Sequence, residues 1–146
     1  MENGAFDPLK LENQLCFPLY ACAREIVKLY KPFLDEIGLT YTQYITMMVL
    51  WEEGQTTSRT IGARLHLDSG TLTPVLKKLA EKGLLERSRS SEDERNLTVT
   101  LTDAGAALKR QAADIPARVG ACVRLEPEEA SELYGILHKL LGQFKA

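Results

Sequence analysis

Histidine and cysteine are scarce in this chain: two histidines, His66 and His138, and three cysteines, Cys16, Cys22 and Cys122. With no CxxC or HExxH spacing among them, neither a metal centre nor any other cofactor is expected. An odd, scattered set of thiols also argues against a structural disulfide framework, so any disulfide here would act as a signal. No apolar run approaches the roughly 18 residues of a membrane span. The opening MENGAFDPLK lacks the basic-then-apolar pattern of an export signal, so a cytoplasmic protein without membrane contact is expected.

Excess charge of one sign is missing as well. The formal net charge is −2, which excludes a chain that coats nucleic acid indiscriminately. Its distribution is uneven: Thr57 to Arg95 carries eight Lys/Arg against six Asp/Glu, leaving −4 for the rest. What is present is ordinary globular material, 146 residues with 45% apolar and 26% charged, enough for one domain with a sizeable core.

The middle of the chain is the most patterned. TSRTIGARLHL places Ile61, Leu65 and Leu67 on one side of a short helix capped by Thr57 or Ser58. LDSGTLTPVLKKLAEKG sets Leu72, Val75, Leu76 and Leu79 at i, i+3, i+4, i+7 and stops at Gly83, with Pro74 expected in the first turn. LLERSR and LTVTLT then read as two strands around a seven-residue polar turn, SSEDERN, with Leu97, Val99 and Leu101 alternating against threonines. Helix, tight turn, helix and hairpin is the order of a winged helix-turn-helix, whose second helix enters the major groove of double-stranded DNA while the wing reaches the minor groove. Asp68, Ser69, Thr71 and Thr73 would open the reading helix with little bulk, and Lys77, Lys78, Arg87, Arg89 and Arg95 supply positive charge. Each of these also has a plainer use, Asp68 and Ser69 as helix caps and SSEDERN as a solvated loop.

The run LDSGTLTPVLKKLAEKGLLERSRSSEDERNLTVTLTDAG resembles the DNA-binding lobe of the MarR family of bacterial repressors. The resemblance extends to the DxR pair of the wing, here Asp93 and Arg95. It implies that Asp93 holds Arg95 for insertion into the minor groove, and that Asp68, Ser69, Gly70, Thr71 and Thr73 lie on the base-reading helix.

On either side lie further helices. TDAGAALKRQAADI starts at Thr102, and LEPEEASELYGILHKLLGQF starts near Pro127 with Leu133, Leu137, Leu140 and Phe144 on one face, widened by Ile136 and Leu141. A stripe that wide needs a partner, either within the chain or in a second copy. In a MarR-like chain these helices and the N-terminal one interleave with their mates. The expected fold is therefore mainly α with a small β-hairpin wing: a winged helix-turn-helix over residues 46–102, and dimerisation helices over 10–45 and 103–146. A homodimer of this kind would meet a pseudo-palindromic operator.

On a helical wheel with Leu15 at zero, Leu11, Leu15, Leu19, Cys22, Ile26 and Leu29 fall within about 40°. Cys22 thus reads as a small core residue. Cys16 stands near 100°, on a flank shared with Tyr20 and Tyr30. Tyr30 is fourteen residues on, roughly 21 Å along the axis, beyond contact with Cys16 of its own chain. Pro18 would kink or restart the helix. The wheel alone leaves Cys16 either a packing residue or a reactive thiol.

The stretch LENQLCFPLYACAREIVKLYKPFLDEIGLTYTQYITMMVLWE resembles the organic hydroperoxide resistance regulator branch of the MarR family, whose sensing cysteine lies in an NQLCFxLY segment. Asn13, Gln14, Leu15, Cys16, Phe17, Leu19 and Tyr20 match it, and Pro18 departs from it. The resemblance implies a non-enzymatic repressor whose Cys16 thiolate, supported by the hydroxyls of Tyr20, Tyr30 and Tyr41 partly from across the dimer, is oxidised by an organic hydroperoxide. It further implies release of operator DNA and derepression of a peroxidase gene, with Cys122 about where a resolving cysteine would lie. Two other functions fit the residues less fully: a MarR-type repressor released by a small phenolic ligand, and a thiol peroxidase using Cys16 and Cys122.

Overall fold

The computed structural model describes residues 6–90 and 93–144; the side chains of Ser90, Asp93, Glu94 and Arg95 lie outside that description. A 3-10 turn over Leu11–Asn13 leads into α1 (Cys16–Asp35) and α2 (Tyr41–Glu53). A three-residue strand, β1 (Gln55–Thr57), precedes α3 (Ser58–Leu65) and α4 (Ser69–Glu81). The wing follows as β2 (Leu85–Ser90) and β3 (Asp93–Leu101), and the chain closes with α5 (Asp103–Ala112), α6 (Ile115–Gly120) and α7 (Pro127–Leu141). The sheet is antiparallel in the order β1-β3-β2.

The helices of the middle form where the capping chemistry places them. Thr57 accepts from the Thr60 N–H, Asp68 from the Thr71 N–H and Thr102 from the Gly105 N–H, which starts α3, α4 and α5. Gly83, at φ +73°, ends α4 with a Schellman pair: Leu84 N–H to Leu79 O and Gly83 N–H to Ala80 O. Leu72, Leu76 and Leu79 then turn inward to meet Met47, Leu50, Ile61, Leu85 and Val99, all buried.

Four expectations change. Because α4 begins at Ser69, Pro74 is its sixth residue, beyond the first turn, and the Gly70 carbonyl has no N–H to receive four residues on. Strand β1 pairs Gln55 to Thr57 with Thr100 to Thr98 and adds a third strand to the expected hairpin. Most of the supposed seven-residue turn falls within the strands, with β2 running to Ser90, β3 starting at Asp93, and Ser90 facing Asp93 after a register shift. The helix expected from Thr102 to Ile115 ends at Ala112, and a further short helix, α6, follows it.

The outer helices are unfinished within one chain. Helix α7 buries none of its residues, and Ile136 and Phe144 are 51% and 64% exposed. Helix α1 buries only Leu34. Cys22, expected in a core stripe, is exposed with Leu11, Leu15, Leu19 and Ile26. The stripe exists as a pattern, but nothing in its own chain covers most of it.

Candidate thiol centre and nucleic-acid interface

Cys16 is the first residue of α1, and Pro18 explains why the helix starts there. A proline at the third helical position falls among the first-turn N–H groups that have no intrahelical acceptor. An upstream extension would need Pro18 to donate to Gln14, and Gln14 is instead extended at φ −93°, ψ 120°. Asn13 and Gln14 fix the approach: the Asn13 amide donates to Asp7 O at 2.7 Å, and the Gln14 amide donates to Pro8 O. Cys16 is exposed, beside the positive end of the α1 dipole. Tyr20, one turn on, is also exposed; Arg24 lies over its ring at 5.5 Å and donates to its hydroxyl at 3.5 Å.

Tyr30 and Tyr41 are brought together, but far from Cys16. They belong to a cluster where α1 meets α2: Tyr30–Tyr41 at 5.0 Å, Tyr30–Tyr44 at 5.7 Å and Tyr41–Tyr44 at 6.4 Å between ring centroids. Burial pushes the Tyr30, Tyr41 and Tyr44 phenols above their ordinary range, with the neighbouring phenols adding to the effect at Tyr41 and Tyr44. They therefore stay protonated, as hydrogen-bond donors, well above neutral pH. Tyr44, 3% exposed and edge-on to Trp51 at 6.4 Å, was missed in the sequence; its spacing of three from Tyr41 on one helix was the available signal. Along α1, fourteen residues still separate Tyr30 from Cys16, roughly 21 Å.

Cys122 lies just past α6 and is exposed; its thiol donates to Arg118 O at 3.5 Å. The Arg118 guanidinium forks onto both Glu36 oxygens at 2.9 Å and covers the Phe33 ring at 4.3 Å, tying the segment before Cys122 to the end of α1. That pairing holds the Glu36 carboxyl below its ordinary range.

The other candidate surface is the opening of α4. Asp68, Ser69, Gly70, Thr71, Thr73 and Lys77 are all exposed, while Leu72, Leu76 and Leu79 are buried. Asp68 is also a working cap: Thr71 donates to it through its N–H at 2.8 Å and its hydroxyl at 3.1 Å, which holds the carboxyl below its ordinary range. The Thr73 hydroxyl donates to Ser69 O at 2.7 Å. Between α3, α4 and β2 runs a groove of about 1060 Å³ whose lining includes Ser58, Arg59, Ser69, Thr73, Arg87 and Arg89. Ser58 and Arg59, in the first turn of α3, are lining residues that the sequence did not single out for this surface. The backbones of Asp93 and Arg95 lie in β3, and the expected contact between their side chains lies outside the described residues.

Comparison with known proteins bears on both surfaces. A family profile described as "Transcriptional regulator SarA/Rot" matches residues 28–112. The organic hydroperoxide resistance transcriptional regulator of Bacillus subtilis is 48% identical over 141 residues, covering 97% of this chain and 95% of its own. This chain belongs to the MarR family, in its organic hydroperoxide resistance branch. Among solved structures, the MarR-family fold aligns with reduced AbfR bound to DNA at 36% identity, TM-score 0.77, over 91% of each chain. The disulfide-formed AbfR aligns at 37% identity and a TM-score of 0.64, over 90% of this chain and 92% of its own; AbfR is a Staphylococcus epidermidis protein. The chain is thus a transcriptional regulator of the MarR type with a winged helix-turn-helix, and among the described residues no helix is long and apolar enough to cross a membrane.

Proposed function

We propose that two copies of this chain form a repressor that holds a pseudo-palindromic operator while Cys16 is reduced and releases it when an organic hydroperoxide oxidises Cys16. The observation that carries this reading is a separation. Cys16 begins α1, the phenols of Tyr30 and Tyr41 lie near the other end, and the apolar faces of α1 and α7 are uncovered between and beside them. Antiparallel pairing of such helices in a C2 dimer brings the first residue of one α1 toward the tyrosines of the other. On this reading residues 10–45 and 103–146 form the dimer layer and 46–102 the DNA-binding lobe, with α2 crossing the boundary.

The chemistry follows from the groups assembled. Phenols held protonated by burial donate to a sulfur anion and favour thiolate over thiol. The thiolate attacks the outer peroxide oxygen; an S–O bond forms, the O–O bond breaks, and the alkoxide leaves as alcohol after taking a proton. The resulting sulfenic acid is then attacked by the partner's Cys122, an S–S bond forms, and water leaves. Cys16 has been oxidised and the peroxide reduced to an alcohol, one turnover per disulfide, which suits a switch and not an enzyme. The relative whose solved forms include "Disulfide formed AbfR" supports the second step.

On DNA, the first turn of α4 reads base edges, Lys77 and Arg87 contact phosphates, and Asp93 orients Arg95 into the minor groove. Reporter derepression would then raise an organic hydroperoxide-reducing peroxidase. The test is operator binding with and without cumene hydroperoxide. Wild type should release DNA and Cys16→Ser should bind equally well and stay bound; peroxide release of Cys16→Ser would overturn the assignment.

A further inference from the structure

The recognition helix and the sensing tyrosines sit on different elements, and a cleft of about 700 Å³ lies between the α1–α2 corner and α4, lined by Gly38, Thr40, Gln43, Val75 and Lys82 among others. Lys82, the C-cap of α4, reaches across it. Its ammonium donates to Gly38 O and, at 3.2 Å, to Gln43 Oε1. Gln43 is buried and completes the capping box that starts α2: its Oε1 accepts the Thr40 N–H at 3.1 Å, and its own N–H donates to Thr40 Oγ1 at 3.3 Å. It also stands between Tyr41 and Tyr44 in the first turns of α2.

We propose that Lys82 is a positioning residue that fixes the end of the recognition helix to the corner carrying the sensing tyrosines, so that a shift of the corner is transmitted to α4. Apolar contacts between α2 and α4 hold the two together but do little to set their register, because burial is non-directional. A cation on two fixed oxygens does set it, and one of those oxygens also caps the tyrosine-bearing helix. The chain aligns with the reduced, DNA-bound relative at a TM-score of 0.77 and with its disulfide form at 0.64, and the tether is assigned to the DNA-bound form. On this proposal, loss of the tether weakens the binding form and leaves the released form nearly unchanged. This inference rests on the redox reading above, so its test includes a measurement independent of DNA.

Operator affinity would be measured for wild type, Lys82→Met and Lys82→Arg across a salt series, before and after cumene hydroperoxide, with hydrogen–deuterium exchange on the free reduced proteins. Lys82→Met keeps the stem and removes the donors. It should weaken reduced-state binding by about tenfold, the scale of one lost charged hydrogen bond. Oxidised-state binding should move less than about twofold, the salt slope should not change, and Lys82→Arg should recover part of the loss. Exchange should rise together at residues 38–43 and 79–84. Equal weakening of both forms with a salt slope lower by about one would make Lys82 a phosphate contact and overturn the tether. Unchanged exchange in Lys82→Met would overturn it whatever the DNA data show. If wild type itself ignores peroxide, the redox reading fails, and exchange still decides the tether.

Discussion

Tyr30 and Tyr41 meet edge to face at 5.0 Å, one late in α1 and the other the first residue of α2, so the α1–α2 corner sets their spacing. On the proposed reading, two phenols fixed in this way act as one donor pair toward the partner's thiolate.

Removing a hydroxyl while keeping the ring tests that pair. Tyr30→Phe or Tyr41→Phe should retain operator affinity in the reduced state and slow peroxide-driven release about tenfold, since one hydrogen bond to a charged sulfur is lost. Stopped-flow release of labelled operator reads both quantities. Slowing no greater than that of a distant Tyr134→Phe control would remove the tyrosines from the chemistry.

Oxidised wild type should migrate as a disulfide-linked dimer on a non-reducing gel, and Cys122→Ser should not. A surviving dimer band in Cys122→Ser would place the second sulfur at Cys22 or at a symmetric Cys16 pair.

The groove between α3, α4 and the wing is lined by Arg59 as well as Arg87 and Arg89, which makes Arg59 a candidate phosphate contact. Arg59→Ala should weaken binding to operator and to random duplex by the same factor, and lower the slope of log affinity against log salt by about one. Selective loss on operator alone would make Arg59 a base reader.

Two glycines separate conformational from steric cost. Gly83→Ala must take φ +73° with open space around its Cβ, and should cost about 1 kcal/mol in chemical denaturation. At Gly105 a Cβ would stand 2.1 Å from Leu84 O and 2.7 Å from Leu101 Cδ1, where Trp51 Nε1 also donates to Gly105 O at 2.8 Å. Gly105→Ala should therefore be the more damaging change, roughly 3 kcal/mol or more.

How far the sequence reached depends on the range of each signal. Thr57, Thr102 and Gly83 act within a few residues of themselves, so α3, α5 and the end of α4 were legible from the chain alone. Strand β1 was not, because Gln55–Thr57 is defined by Thr98–Thr100 across the sheet and is too short for a period. The stripe on α1 is legible as apolar, but periodicity shows that a face must be covered, not by which molecule. Cys22 lies on that stripe and is exposed within its own chain. Tyr44 was hidden among apolar α2 residues whose burial is the same whether they pack or position.

The start of α1 at Cys16 and the tyrosine corner near its end have one more consequence. A chain parted from its mate keeps its thiol with Tyr20 alone, and keeps Tyr30 and Tyr41 without a thiol. Dilution would then blunt the response to peroxide just as it loosens the grip on two half-sites, so vigilance and repression would rise and fall with the same cellular abundance of the protein.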